Sequence, residues 1–124
     1  MTAMALVLIV DDSPTELHVM KKALEGSGFK TATASDGAEG IRLAREMHPD
    51  LIFMDIVMPG INGYQATRAL ANDPVTRAIP VIMVTSKGQE TDKIWGLRQG
   101  AVDYMVKPVS PTQLVAKAQA TLAG

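Results

Sequence analysis

Three aspartates and one lysine stand where they could do chemistry together. Asp11 and Asp12 close the apolar run 5–10, Asp55 closes the run 51–54, and Lys107 closes the run 102–106 just ahead of Pro108. Each run has the length of a short buried strand. In an open parallel sheet the carboxyl ends of the strands line one edge, and ligands bind there. Three carboxylates and an ammonium on that edge suit a hard divalent cation and a phosphoryl group. Mg2+ takes oxygen ligands in near-octahedral geometry and keeps several waters. A carboxylate held ionised beside such cations is a nucleophile toward phosphorus, while Lys107 or the metal stabilises charge on the equatorial oxygens. The competing reading makes these acids helix N-caps and solvated loop charges, and Asp12 or Ser13 is placed to cap a first helix. The coincidence of four charged strand ends favours the site.

Two neighbours of these residues carry less. Thr85 and Ser86 end the run 81–84, where a hydroxyl could donate to a phosphate oxygen on Asp55; alone, it reads as an N-cap or ST-turn. A cis bond before Pro108 would aim Lys107 back toward the acids. Only about 5–6% of X-Pro bonds in folded proteins are cis, so the residues alone do not support it.

The positioning elements follow from periodicity. Strands are expected at 5–10, 30–34, 51–54, 80–84 and 102–106, four of them nearly continuous in apolar residues, as in a parallel sheet buried on both faces. The polar segment 30–34 belongs at an edge. Ser13-Pro14-Thr15-Glu16 offers an N-cap, a proline at N1 and a capping-box glutamate, followed by an inward stripe of Leu17, Met20 and Leu24. Asp36 and Glu39 repeat that logic ahead of Ile41 and Ala44. Asn62-Gly63 breaks the loop after Asp55, and helices are expected at 64–72, at 90–99 ending near Gly100, and from Ser110-Pro111 through Leu114, Ala118 and Leu122. The fold class is α/β: a single doubly wound (βα)5 domain with right-handed crossovers. The common order for such a five-stranded parallel sheet is 2-1-3-4-5, with its switch point between strands 1 and 3, the two that end in Asp11/Asp12 and Asp55.

The 124 residues suit one domain over 1–124, with no linker, repeat or low-complexity segment and no fused output domain. Net charge is −1, from 12 basic and 13 acidic residues, so no broad electrostatic footprint for nucleic acid is present. Cysteine is absent, which excludes disulfides and thiol chemistry and suits the cytoplasm. The first apolar run lacks a basic leader and is cut by Asp11, so it is no signal peptide. No run approaches the ~20 residues needed to span a bilayer.

The segments Val10-Asp11-Asp12-Ser13, 54–63, Val84-Thr85-Ser86 and Val106-Lys107-Pro108 together resemble a CheY-like response-regulator receiver domain over essentially the whole chain. The resemblance implies that Asp55 is the phosphoacceptor, taking its phosphoryl group from a histidine kinase's phosphohistidine. It implies that Asp12, Asp55 and the Val57 carbonyl ligate Mg2+, with Asp11 acting through water. It makes Thr85 the switch hydroxyl, Tyr104 the aromatic switch and Lys107 the salt bridge to the phosphoryl group. The fourth helix, fifth strand and fifth helix, with Trp95, Arg98 and Tyr104, become the face that binds a downstream protein effector. The protein is expected as a monomer or a weak phosphorylation-dependent dimer. The segments 10–16, 54–62, 89–93 and 95–104 are similar to the stand-alone receivers of twitching-motility systems that drive type IV pili, which implies pilus or chemotaxis-like signalling. Relative to flagellar chemotaxis members, Val57 replaces a polar side chain two residues after the phosphoacceptor, where the family sets access of the attacking water.

Two rival classes fit less well. Haloacid-dehalogenase phosphatases also use a strand-end aspartate and Mg2+, but need a second acid two residues on; here Val57 follows Asp55 and Pro14 follows Asp12 at that spacing. A flavin or dinucleotide binder needs a small-residue first turn, and Asp11-Asp12 would repel its phosphate. The expectation is a phosphoacceptor signalling protein, limited to self-catalysed phosphotransfer and dephosphorylation. His18 and His48 read as surface residues, the eight methionines as core filler, and Met47 as closing a helix beside Pro49. Trp95 divides evenly between packing the fourth helix and anchoring a partner.

Overall fold

The computed structural model describes residues 4–123. Five strands alternate with five helices: β1 (Leu6–Val10), α1 (Pro14–Gly26), β2 (Lys30–Ala34), α2 (Gly37–Met47), β3 (Leu51–Met54), α3 (Gly63–Asn72), β4 (Val81–Thr85), α4 (Glu90–Arg98), β5 (Asp103–Val106) and α5 (Pro111–Ala123). The sheet is parallel with order β2-β1-β3-β4-β5. The (βα)5 expectation holds, and the polar strand β2 lies at an edge. Ala5, Pro80 and Val102 fall just outside the strands, Thr85 falls inside β4, α3 begins one residue earlier, at Gly63, and α4 ends one residue earlier, at Arg98.

Alternation along the strands divides the core in two. Val7 and Ile9 of β1, Leu51 and Phe53 of β3, and Ile82 and Val84 of β4 pack with Met20 and Leu24 of α1 and Leu114 and Ala118 of α5. Leu8, Val10, Ile52, Met54, Val81 and Met83 point the other way, toward Ala44 of α2, Ala66 and Leu70 of α3, and Tyr104. Fully burying one such aliphatic side chain contributes about 1.5–3 kcal/mol. The methionines split: Met20, Met54, Met58 and Met83 are buried, whereas Met4 and Met47 are exposed. His18 and His48 are both on the surface. His48 closes α2 in the left-handed conformation, φ 49°, next to Met47.

The helix starts depart from expectation in one respect. Ser13 caps α1, its Oγ accepting from Glu16 N at 3.3 Å, but Glu16 does not complete the box, because the Ser13 N–H donates instead to Asp11 Oδ1 at 2.9 Å. Asp36 caps α2 through Glu39 N, while Glu39 Oε1 accepts from Ser35 N. A complete box does form at α3, between Asn62 and Gln65, and Ser110 and Gln113 exchange the same pair of bonds at α5.

Gly63 is the tightest point between helix and sheet edge. A Cβ there would lie 2.0 Å from the Asp55 carbonyl oxygen and 2.8 Å from Ile56 Cα, both backbone atoms that cannot step aside. Gly63→Ala should therefore destabilise the fold by about 3 kcal/mol, measured by urea denaturation. A loss below a few tenths of a kcal/mol would show that α3 is free to shift off Asp55.

Candidate functional site

Register brings the charged residues together. Val10 pairs with Met54, and Met54 with Met83, so β1, β3 and β4 end nearly level. The ladder continues one residue further: Asp11 N donates to Ala34 O at 3.1 Å, Asp55 N to Val10 O at 2.9 Å, and Lys107 N to Thr85 O at 2.8 Å. Asp11, Asp55, Thr85 and Lys107 are thus fixed through main-chain bonds before any side-chain interaction is counted. The Lys107–Pro108 bond is cis, which the residues alone did not indicate.

The Lys107 ammonium lies 2.8 Å from Asp11 Oδ2 and 3.4 Å from Asp55 Oδ2. Asp11 is 1% exposed and Asp55 8%. Each carboxylate uses its other oxygen locally: Asp11 Oδ1 accepts from Ser13 N, and Asp55 Oδ1 from Ile56 N at 2.8 Å. Asp12 is exposed, and one oxygen from each of Asp11, Asp12 and Asp55 lies within 4.8 Å of the others. Carboxylate oxygens at this separation form the all-oxygen donor set that a hard cation such as Mg2+ prefers. Val57, two residues past Asp55, carries a side chain 58% exposed beside the cleft.

Burial raises the Asp55 carboxyl above its ordinary 3.8, and the Asp11 charge adds to this; Lys107, the Ile56 N–H and the Thr85 hydroxyl oppose it without reversing it. Burial alone would lower the Lys107 ammonium. The hydrogen bond to Asp11 and the charges of Asp55, Asp11 and Glu16 outweigh that and hold it above 10.5.

By strand alternation Thr85 and Tyr104 have the parity of the α2–α3 side of the sheet, yet at the strand end the Thr85 hydroxyl still reaches the Asp55 carboxyl. Thr85 is fully buried, and its Oγ1 accepts from Lys87 N at 3.4 Å. Tyr104 is also buried, and its hydroxyl donates to Lys87 O at 2.6 Å. Lys87 therefore joins the two residues, through its own N–H and carbonyl. The aromatic ring already occupies an inward position under Gly96. Trp95, in contrast, is 49% exposed, and Arg98 is exposed beside it, so tryptophan packing onto the sheet is not what holds α4. Sequence reasoning missed Gly63, Tyr64 and the Lys87 main chain. A helix-starting glycine directly after an N-cap asparagine was the available signal for the first; main-chain acceptors leave none.

The charges set stability as well as chemistry. Folded Asp55 holds its proton more tightly than the unfolded chain does, so its ionisation costs stability as pH rises through the folded value, and costs nothing below 3.8. Asp55→Asn in metal-free buffer is expected to stabilise the protein by about 1 kcal/mol at pH 7 and to lose that advantage at pH 3, in paired urea melts. An equal gain at both pH values would exclude charge as its origin. Lys107→Ala leaves buried Asp11 without its cation and should cost about 3 kcal/mol at pH 7; a neutral outcome in the same assay would mean that water replaces the ammonium freely.

Comparison with known proteins agrees with this geometry. The response regulator receiver domain family matches residues 7–119. Protein PilH of Pseudomonas aeruginosa PAO1 is 55% identical over 121 residues, covering 98% of this chain and 100% of that protein. The chemotaxis response regulator CheY4 of Vibrio cholerae has a TM-score of 0.91 at 31% identity, over 97% of this chain and 100% of that one. The receiver domain of sensor histidine kinase PA1611 from P. aeruginosa, solved with a magnesium ion coordinated in its active-site cleft, has a TM-score of 0.91 at 29% identity, over 98% and 100%. With its charged strand ends gathered in one cleft, the chain belongs to the response-regulator receiver family, the phosphorylation-based regulators of signalling.

Proposed function

We propose that Asp55 accepts a phosphoryl group from the phosphohistidine of a histidine kinase, and that the modified protein switches its binding to a downstream protein effector. The observation that carries this reading is the Lys107 ammonium shared between Asp11 and Asp55, at 2.8 and 3.4 Å, beside a third carboxylate. A carboxylate oxygen of Asp55 attacks phosphorus, the P–N bond to the donor imidazole breaks, and the imidazole leaves with the bonding electrons. Asp12, Asp55 and the Val57 carbonyl would hold Mg2+, with Asp11 through water, and the ion would neutralise charge on the phosphoryl oxygens. Lys107 supplies a second cation to those oxygens. Its partnership with Asp55 favours the ionised nucleophile against the burial that opposes it.

Thr85 transmits the change. When its hydroxyl turns to donate to a phosphoryl oxygen, it gives up its contact with Lys87 N. Lys87 also holds the Tyr104 hydroxyl, so the loop entering α4 and the aromatic ring feel the same displacement. The modification biases two conformations by binding one of them better. The effector face is α4–β5–α5, with exposed Trp95 and Arg98 and the groove beside Tyr104. On this reading the chain acts as a cytoplasmic receiver, as a monomer or a weak phosphorylation-dependent dimer. Its chemistry is limited to its own phosphorylation and dephosphorylation. The likeness to PilH supports a place in type IV pilus twitching motility or a related chemotaxis-like system.

Intact-mass analysis after incubation with acetyl phosphate and Mg2+ tests the chemistry. Wild type should gain one phosphoryl group, dependent on Mg2+, and Asp55→Ala none. An adduct that persists in Asp55→Ala would move the acceptor elsewhere and sink the reading.

A further inference from the structure

α4 is weakly tied to the rest of the fold. Gly96 is its one buried residue, while Ile94, Trp95 and Leu97 are all exposed. Its capping bonds come from within, as Asp92 Oδ2 accepts from Gln89 N at 3.3 Å. A helix with so little buried apolar surface must be held by specific contacts. The Tyr104 ring provides one from below: a Cβ on Gly96 would sit 3.2 Å from its Cδ2 and Cε2. A second comes from the side. Tyr64, in the first turn of α3, is partly buried against the core, and its hydroxyl donates to the Asp92 carbonyl at 3.2 Å. That carbonyl has a second lone pair for its own helix. Burial raises the Tyr64 phenol above 10, so it keeps its proton and remains a donor at neutral pH.

What stands next to Tyr64 gives the bond its meaning. Gly63 rests directly on the Asp55–Ile56 peptide and donates to Ile56 O at 2.8 Å. Two consecutive residues therefore span the distance from the Asp55 main chain to the first turn of α4. The connection passes through neither Thr85 nor Lys87, although the Tyr64 hydroxyl adjoins that of Tyr104.

We propose that Tyr64 is a positioning residue that pins α4 to the Asp55 backbone, so that opening of the Tyr64–Asp92 bond is part of the displacement of α4 on activation. This rests on the reading of Asp55 as the phosphoacceptor. Removing the hydroxyl lowers the work of displacing α4 and favours the activated arrangement.

Tyr64→Phe keeps the ring and deletes the donor. Amide hydrogen exchange without metal or phosphoryl mimic should become about fivefold faster in α4, the effect of one ordinary hydrogen bond, with β1 and β3 unchanged. Titration with beryllofluoride and Mg2+, read as 19F NMR occupancy, should saturate the variant at about fivefold lower concentration than wild type. Unchanged exchange in α4 overturns the proposal. So does faster exchange throughout the sheet with weaker beryllofluoride binding, the signature of general destabilisation, or an unchanged binding midpoint. If neither protein binds beryllofluoride while exchange in α4 alone accelerates, the phosphoacceptor reading fails and the anchoring of α4 by Tyr64 stands.

Discussion

The ammonium of Lys107, set between Asp11 and Asp55, is the interaction on which the rest of the structure depends. Two carboxylates about 4 Å apart repel by about 4 kcal/mol at an effective dielectric near 20, and here both are nearly buried, with a third acid beside them. Without a cation that repulsion would stand uncompensated against the main-chain bonds that hold the strand ends level. Lys107 resolves the conflict only in part, since Asp55 remains harder to ionise than a free carboxylate. That residual cost has a use. The cleft retains negative charge that a divalent cation would relieve, and on the proposed function a phosphoryl group arriving with the cation would find Lys107 already in place.

The sheet explains why four residues, distant in the chain, share one cleft without flexible searching. Main-chain bonds run one step past β1, β3 and β5 into Asp11, Asp55 and Lys107. Strand alternation then sorts the side chains. Asp11, Asp55 and Lys107 follow the parity of Ile9, Phe53 and Met105, on the α1–α5 side. Thr85 follows Met83 and Tyr104, on the side covered by α2, α3 and α4. On the proposed function the chemistry and its readout thus come from side chains of opposite parity along a single edge. Thr85 is where they meet, because β4 lies between the strand carrying Asp55 and the strand carrying Tyr104.

Much of this was legible in the chain because it rests on local signals. Apolar runs ending in charge located the strand ends, and their number and alternation with helical stripes gave the fold. Asp11, Asp12, Asp55 and Lys107 were found because a charged residue at the end of a buried strand is conspicuous. What was not legible has one physical character: it depends on main-chain atoms or on contacts between distant segments. The Ser13 N–H abandons its expected capping box because Asp11 competes for it. Lys87 matters for its N–H and carbonyl, which its side chain does not advertise. Gly63 matters for the absence of an atom that would meet the Asp55 carbonyl. Trp95 could be divided evenly between core and surface because helix α4 has no clear apolar face, and the structure leaves that residue half exposed.

The same lack of an apolar face makes α4 suited to move. Residues at the cleft are over-determined: Asp55 is held by a ladder bond, by the Ile56 N–H on its side chain and by Gly63 on its carbonyl. Such a site deforms little when it gains charge, so the strain must appear where the structure is least committed. β1 and β3 are buried on both faces and cannot yield without opening cavities. α4 rests on a glycine, a tyrosine ring and a few polar bonds, each worth about 1 kcal/mol, and it can shift by exchanging those bonds while the core stays packed. On the proposed function, a rigid sheet edge beside a loosely held helix would convert a local electrostatic event into a displaced surface. On that proposal Tyr64 and Tyr104 matter together: they meet α4 from two different elements, α3 beside Asp55 and β5 beside Thr85, and their hydroxyls adjoin each other.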